Sequence, residues 1–115
     1  VGSGRLVGKP SASLLKELCA SVRVLTHGDT LDALKDADIV ILGAGETGLV
    51  KPEHLKKGVI LIDAGTSETS GKIAGDAEAS CADVASIFTP VPGGVGPIAV
   101  AMIFKNLFVL AEKSH

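Results

Sequence analysis

A doubly wound α/β fold with a mainly parallel sheet is what this sequence predicts. Short β-branched runs alternate with helical patterns along the whole chain. Two of the runs, residues 39–42 (IVIL) and 59–62 (VILI), are unbroken apolar stretches, as expected of strands covered on both faces. Glycine-rich segments follow the strands, which suits a ligand lying beyond the carboxyl ends of a parallel sheet.

The elements follow in order. Val1-Gly2-Ser3-Gly4 is a glycine turn of the kind that follows a first strand, yet almost no strand precedes it and there is no initiator Met. The chain is therefore read as a fragment, with residues 1–115 forming one domain whose first strand is largely missing. Residues 10–20 read as a helix with Leu14, Leu15, Leu18 and Cys19 on one face. Pro10 suits its first turn, where a missing N–H leaves nothing unsatisfied. Residues 22–26 (VRVLT) read as the next strand, and Thr30 caps a short helix bearing Leu31 and Leu34. After IVIL, residues 52–55 make a single turn ended near Gly58, and VILI follows. Residues 77–82 are a weaker helical stretch, 86–88 a last strand, and 98–112 an apolar helix. Units of this length imply right-handed crossovers.

Composition excludes several functions. A hydrophobic content of 46% argues against disorder. With three Phe and no Tyr or Trp, the core must be aliphatic and bases find no stacking platform. A net charge of −2 gives nucleic acid no basic surface to bind. No apolar run approaches membrane-spanning length and no signal peptide is visible, so no membrane partner is expected. Cys19 and Cys81 read as buried thiols of a reducing compartment, which places the chain in the cytoplasm. The histidines have no metal-ligand spacing, so no metal is expected.

Gly2, Gly4 and Gly8 spell G-x-G-x-x-x-G just before Pro10, one residue longer than the usual dinucleotide fingerprint, and make the expected sheet Rossmann-like. A P-loop fails, because Gly8-Lys9 is followed by Pro10 instead of Ser or Thr. Beyond the second strand come His27, Gly28 and Asp29. Asp29 stands where a carboxylate can accept from the adenine ribose hydroxyls, and it equally fits a turn or the cap of the next helix. Gly43 and Gly45 follow the IVIL strand, and Gly65 and Thr66 follow VILI. The candidate cofactor-binding residues are thus Gly2, Ser3, Gly4, His27, Gly28, Asp29, Gly43, Gly45 and Thr66.

Residues 89–97, TPVPGGVGP, hold three prolines and three glycines in nine positions, which neither a helix nor a central strand accommodates. Pro92-Gly93-Gly94 leaves bare backbone that a ligand can approach, immediately before an apolar helix whose N-terminal N–H groups favour a polar or anionic group.

The stretches Val7-Gly8-Lys9-Pro10, His27 to Thr30, Ala37-Asp38-Ile39-Val40, Gly58 to Gly65, Lys72 to Asp76 and TPVPGGVGP, with Ile98 to Met102 after it, occur in an order that covers the chain. In that order the chain resembles the C-terminal, nucleotide-binding half of the methylenetetrahydrofolate dehydrogenase/methenyltetrahydrofolate cyclohydrolase family. The resemblance implies a two-domain enzyme with its active site between the domains. Such enzymes oxidise 5,10-methylenetetrahydrofolate by hydride transfer to NADP or NAD, then hydrolyse 5,10-methenyltetrahydrofolate to 10-formyltetrahydrofolate. The catalytic lysine and tyrosine belong to the other half, so no catalytic residue is expected here and the chain alone should bind without turning over. Pro92, Gly93, Gly94, Val95, Gly96, Pro97, Ile98 and Ala99 would wall the folate pocket. The resemblance also implies a homodimer.

Departures from the family pattern bear on the cofactor. The arginine that helps hold a 2′-phosphate is absent from Gly2-Ser3-Gly4, and Asp29 would repel that phosphate while accepting from a free ribose diol. Both changes lean towards NAD over NADP, with Arg5 able to compensate. Thr66-Ser67 replaces the usual Ile-Asn, and Ala99 the usual Thr. These losses leave an alternative, a diverged non-catalytic nucleotide-binding or scaffolding α/β module. Asp63, which ends an apolar strand, and Asp76, which follows Gly75, read as carboxylates that hydrogen-bond loop backbone, Cys81 as structural, and His27 and His54 as loop residues.

Overall fold

Parallel pairing sets the apolar runs side by side. The computed structural model describes all of residues 1–115. In it, β1 (Ile39–Leu42) pairs with β2 (Ile60–Asp63), Val40 opposite Leu61 and Leu42 opposite Asp63. β5 (Ile87–Thr89) pairs with the far side of β2, again in parallel. The doubly wound, mainly parallel α/β architecture is present.

One face of this sheet carries the core. Val40, Leu42 and Leu61 join Leu25, Leu34, Val50, Leu55, Val59 and Cys81 in a single buried aliphatic cluster. Three 3₁₀ helices, Leu31–Asp36, Pro52–His54 and Ala79–Asp83, bring Leu34, Leu55 and Cys81 into or beside it. The opposite face is only half covered, and Ile39 is 45% exposed. The expectation of strands covered on both faces therefore holds on one face alone.

Val1 alone stands beside β1, where a further strand would lie. Its ammonium donates to the Ile41 carbonyl, its own carbonyl accepts from the Gly43 N–H at 2.9 Å, and the Gly2 N–H donates to the Leu25 carbonyl at 2.8 Å. A single residue makes no ladder. Residues 22–26, expected as a strand, consequently belong to no sheet. Between them, Ile39 and Ile41 of β1, and Leu15 and Cys19, lies a cleft of about 410 Å³.

Three further corrections follow. The first helix is α1 (Gly8–Leu18), starting two residues early and burying none of its side chains, with Leu14 61% and Leu18 71% exposed. The supposed core face has little sheet to pack on, because only Val1 fills the position beneath it. The last helix is α2 (Val95–Lys113), so Val95, Gly96 and Pro97 form its first turn instead of a loop. It too buries no residue. With 19 residues and a mean hydropathy of 1.6 it is long and apolar enough to cross a membrane by length and composition, against the expectation that no run approaches that length. The third correction is a hairpin the sequence reading did not place, β3 (Ser67–Thr69) with β4 (Lys72–Ala74), closed by Ser70 and Gly71 at φ 53° and 76°.

Thr30 does cap its helix, its Oγ1 accepting from the Asp32 N–H at 3.3 Å. Both cysteines are free, but only Cys81 is buried.

Candidate functional site

The order of neighbours reverses at Val1. From that position the chain first runs outward through α1 to residues 22–25, then returns to the other side as β1. This is the switch point at which open α/β sheets leave a crevice beyond their carboxyl ends. The Gly2-Ser3-Gly4 turn emerges there.

Glycine is required at this point by close approach. A Cβ on Gly2 would overlap the Gly43 carbonyl, one on Gly8 the Gly2 carbonyl, and one on Gly43 the Val7 side chain. Gly2, Gly8 and Gly43 therefore seat the turn and α1 against the end of β1. Gly4 and Gly45 meet nothing within 4 Å and leave bare backbone open to a ligand. The N–H groups of Ser3, Gly4 and Arg5 donate to nothing within the chain, while Lys9 N–H already bonds the Gly4 carbonyl at 3.0 Å. Free N–H groups leading into an 11-residue helix suit a pyrophosphate.

The loop after β1 is turned the other way. Its N–H groups at Ala44, Gly45 and Glu46 donate inward to the Asp76 carboxylate at 2.7, 3.2 and 2.8 Å. Gly45 offers a ligand bare backbone, and its own N–H is occupied.

Asp76 is fully buried, as is Asp63 at the end of β2. The Asp63 carboxylate accepts from Gly65, Asp76 and Ala77 N–H groups at 2.9, 3.2 and 2.9 Å, and the Asp63 N–H donates to Thr89 Oγ1 at 2.9 Å. Burial raises the Asp63 carboxyl above its ordinary value, opposed by those three N–H donors. Six backbone N–H groups satisfy the two carboxylates, which is a structural arrangement and not a cation site.

Asp29 is exposed, and its Oδ2 accepts from Thr26 N–H at 2.7 Å and Thr26 Oγ1 at 3.0 Å. Those bonds hold its carboxyl below the usual range. The turn reading of Asp29 is thus realised, with Oδ1 left free to accept. His27 and Gly28 lie in the same exposed turn. Thr66 is exposed just past β2. Pro92 to Ala99 follows β5, with a cis bond between Val91 and Pro92 and Gly93 open to solvent. The residues named from sequence thus fall in a row along one edge of the sheet, Asp29 at one end and Pro92 at the other.

All of residues 1–115 match the family model described as tetrahydrofolate dehydrogenase/cyclohydrolase, NAD(P)-binding domain. The chain belongs to this family. A bifunctional protein FolD of Caldanaerobacter subterraneus subsp. tengcongensis is 46% identical over 92% of this chain and 39% of its own length. The crystal structure of the FolD methylenetetrahydrofolate dehydrogenase/cyclohydrolase of Campylobacter jejuni overlays on 99% of this chain with a TM-score of 0.92 at 35% identity, using 42% of its own chain. The methylenetetrahydrofolate dehydrogenase-cyclohydrolase of Trypanosoma brucei, solved with NADP and an inhibitor, overlays on 98% with a TM-score of 0.86 at 38% identity, again over 42% of its own chain. The chain spans about two-fifths of the length of the relatives it matches.

Within this tetrahydrofolate dehydrogenase/cyclohydrolase domain, Asp63 and Asp76 hydrogen-bond loop backbone, as their sequence positions suggest, but which loops they hold was not given by the sequence. The available signal was their neighbourhood. Each carboxylate sits beside a glycine that has no room for a side chain: Gly65 against Asp76, and Gly75 against Asp63.

Proposed function

We propose that this chain is the cofactor-binding half of a bifunctional folate enzyme. That enzyme oxidises 5,10-methylenetetrahydrofolate with NAD(P) and hydrolyses 5,10-methenyltetrahydrofolate to 10-formyltetrahydrofolate. The observation that carries the reading is the open Ser3–Gly4 backbone with its free N–H groups at the switch point, in a chain matched to the family end to end. Solved relatives named as methylenetetrahydrofolate dehydrogenase/cyclohydrolase support it.

When bound, the nicotinamide supplies a hydride acceptor. The work of this chain is binding and orientation. The Gly2-Ser3-Gly4 turn and the N-terminus of α1 hold the pyrophosphate. His27, Gly28 and Asp29 meet the adenosine end, where the free Oδ1 of Asp29 accepts from a ribose diol and disfavours a 2′-phosphate, so NAD is preferred. Gly43, Gly45 and Thr66 line the middle of the row. Pro92, Gly93, Gly94 and the first turn of α2, to Ala99, wall the folate.

The catalytic lysine and tyrosine lie outside this chain. Its free cysteines support a reducing, cytoplasmic setting. Pairing into a homodimer belongs to the same reading and is supported by the exposed apolar surface of α2.

The test is paired. This chain should bind cofactor and show no oxidation of 5,10-methylenetetrahydrofolate, whereas the full-length protein oxidises it with NAD(P). Turnover by the chain alone would place catalysis here. No turnover by the full-length protein would favour the diverged, non-catalytic module suggested by Thr66, Ser67 and Ala99.

A further inference from the structure

We propose that Asp76 is a positioning residue for the cofactor: its buried carboxylate clamps the loop after β1 and thereby fixes the floor of the dinucleotide crevice beside Gly2. The inference rests on the nucleotide-binding reading above and adds to it a residue that touches no ligand.

The geometry begins with the loop. Residues 44–46 are exposed and lie at the carboxyl end of a strand, and none of their three N–H groups serves a sheet or helix. Left free, they would form a concave cluster of donors that attracts an anion. Asp76 takes all three at 2.7 to 3.2 Å, from 30 to 32 residues away in sequence. Oδ2 accepts from Ala44 and Gly45, and Oδ1 accepts from Glu46. The donors are thereby turned from the crevice into the protein. A charged acceptor shared among three amides is stronger than neutral bonds and more exacting in direction.

The clamp is itself anchored. Asp63 Oδ1 accepts from the Asp76 N–H, and Oδ2 accepts from Ala77, while Gly65 lies flush against the Asp76 carboxylate. The loop so held is the one the glycine turn rests on, since Gly2 packs directly against Gly43 and Ala44. Shifting residues 44–46 would therefore shift the surface against which the Gly2-Ser3-Gly4 turn is seated. The adenosine end, at Asp29, depends on Thr26 and is independent of Asp76.

This separation supplies the test. Asp76→Asn keeps the size of the side chain but presents an NH₂ group to one of the three amides. Calorimetric titration of the chain should show dinucleotide affinity falling about tenfold or more, with adenosine affinity unchanged. Amide exchange at residues 44–46 should accelerate in the same variant. Leu55→Ala, a core truncation before the amino end of β2, should lower stability and leave both affinities in place. Equal dinucleotide affinity in Asp76→Asn, or equal losses for adenosine and dinucleotide, would overturn the positioning role. Absence of dinucleotide binding by the unsubstituted chain would instead remove the nucleotide reading and this inference with it. Should Asp76→Asn fail to fold, amide exchange on the unsubstituted chain decides. Slow exchange at residues 44–46 supports the clamp, and exchange as fast as in an open loop refutes it.

Discussion

The backbone N–H of Asp76 donates to Oδ1 of Asp63 at 3.2 Å, so one buried carboxylate holds the residue whose own carboxylate holds the loop after β1. Through this pair the ends of β1 and β2, and the segment that follows the β3–β4 hairpin, are tied together without a salt bridge. These bonds lie at the carboxyl-terminal edge of the sheet, where the candidate cofactor residues also lie.

Gly65 and Gly75 should be intolerant of alanine. A Cβ at Gly65 would overlap the Asp76 carboxylate, and one at Gly75 the Asp63 carboxylate. Each substitution should cost about 1–3 kcal/mol or more, read by urea unfolding. Gly4→Ala meets open space and should change stability by less than about 0.5 kcal/mol while weakening cofactor binding.

The Asp63 carboxyl sets a pH dependence of unusual sign. Unfolded, it titrates near 3.8, and folded, it titrates higher because burial disfavours its charge. Between those two values the folded chain keeps a proton that the unfolded chain has released, so this group's contribution to stability falls as pH rises through the window. The stability difference between the unsubstituted chain and Asp63→Asn should therefore shrink as pH rises from about 4, measured by thermal unfolding across pH. Asp38, lowered by its hydrogen bond and ion pair with Lys56, works oppositely, its contribution being lost as pH falls through its depressed value.

Asp29→Ser should move cofactor preference towards NADP. Removing the carboxylate deletes the repulsion on a 2′-phosphate and one acceptor for a ribose diol, so the ratio of NADP to NAD affinity should rise by about tenfold. Competition binding with the two cofactors measures it. An unchanged ratio would confine Asp29 to its turn with Thr26.

Truncating α2 side chains should barely affect this chain. Leu107 is 62% exposed on a helix that buries nothing, so Leu107→Ala should change stability by less than about 0.5 kcal/mol. Leu61 is completely buried in the core, and Leu61→Ala should cost about 2–5 kcal/mol.

Much of this fold is legible in the sequence, because β1 and β2 are short uninterrupted apolar runs and the Thr30 cap is a local signal. Residues 22–26 look equally strand-like and are not one, because a strand exists only with a partner and Val1 supplies a single residue of it. The periodicity of α1 and the apolarity of α2 suggest burial, but burial depends on what lies opposite, which a helix's own sequence does not encode. The hairpin was within reach, since Ser70-Gly71 is a two-residue turn between short paired runs. At the site, the glycines announce themselves by type. Which of them pack and which face a ligand depends on contacts between residues 2, 8 and 43 that only the fold brings together. The Asp63–Asp76 pair is hidden for the same reason, thirteen residues apart in sequence and joined across a hairpin.

Calorimetric titration of the chain with NAD and with NADP tests the central claim most directly. Saturable binding of both, tighter for NAD, is the expected result, and tighter binding of NADP would remove the role of Asp29 while leaving the cofactor site in place. Heat from neither would contradict the assignment of the Gly2–Gly4 crevice as a dinucleotide site.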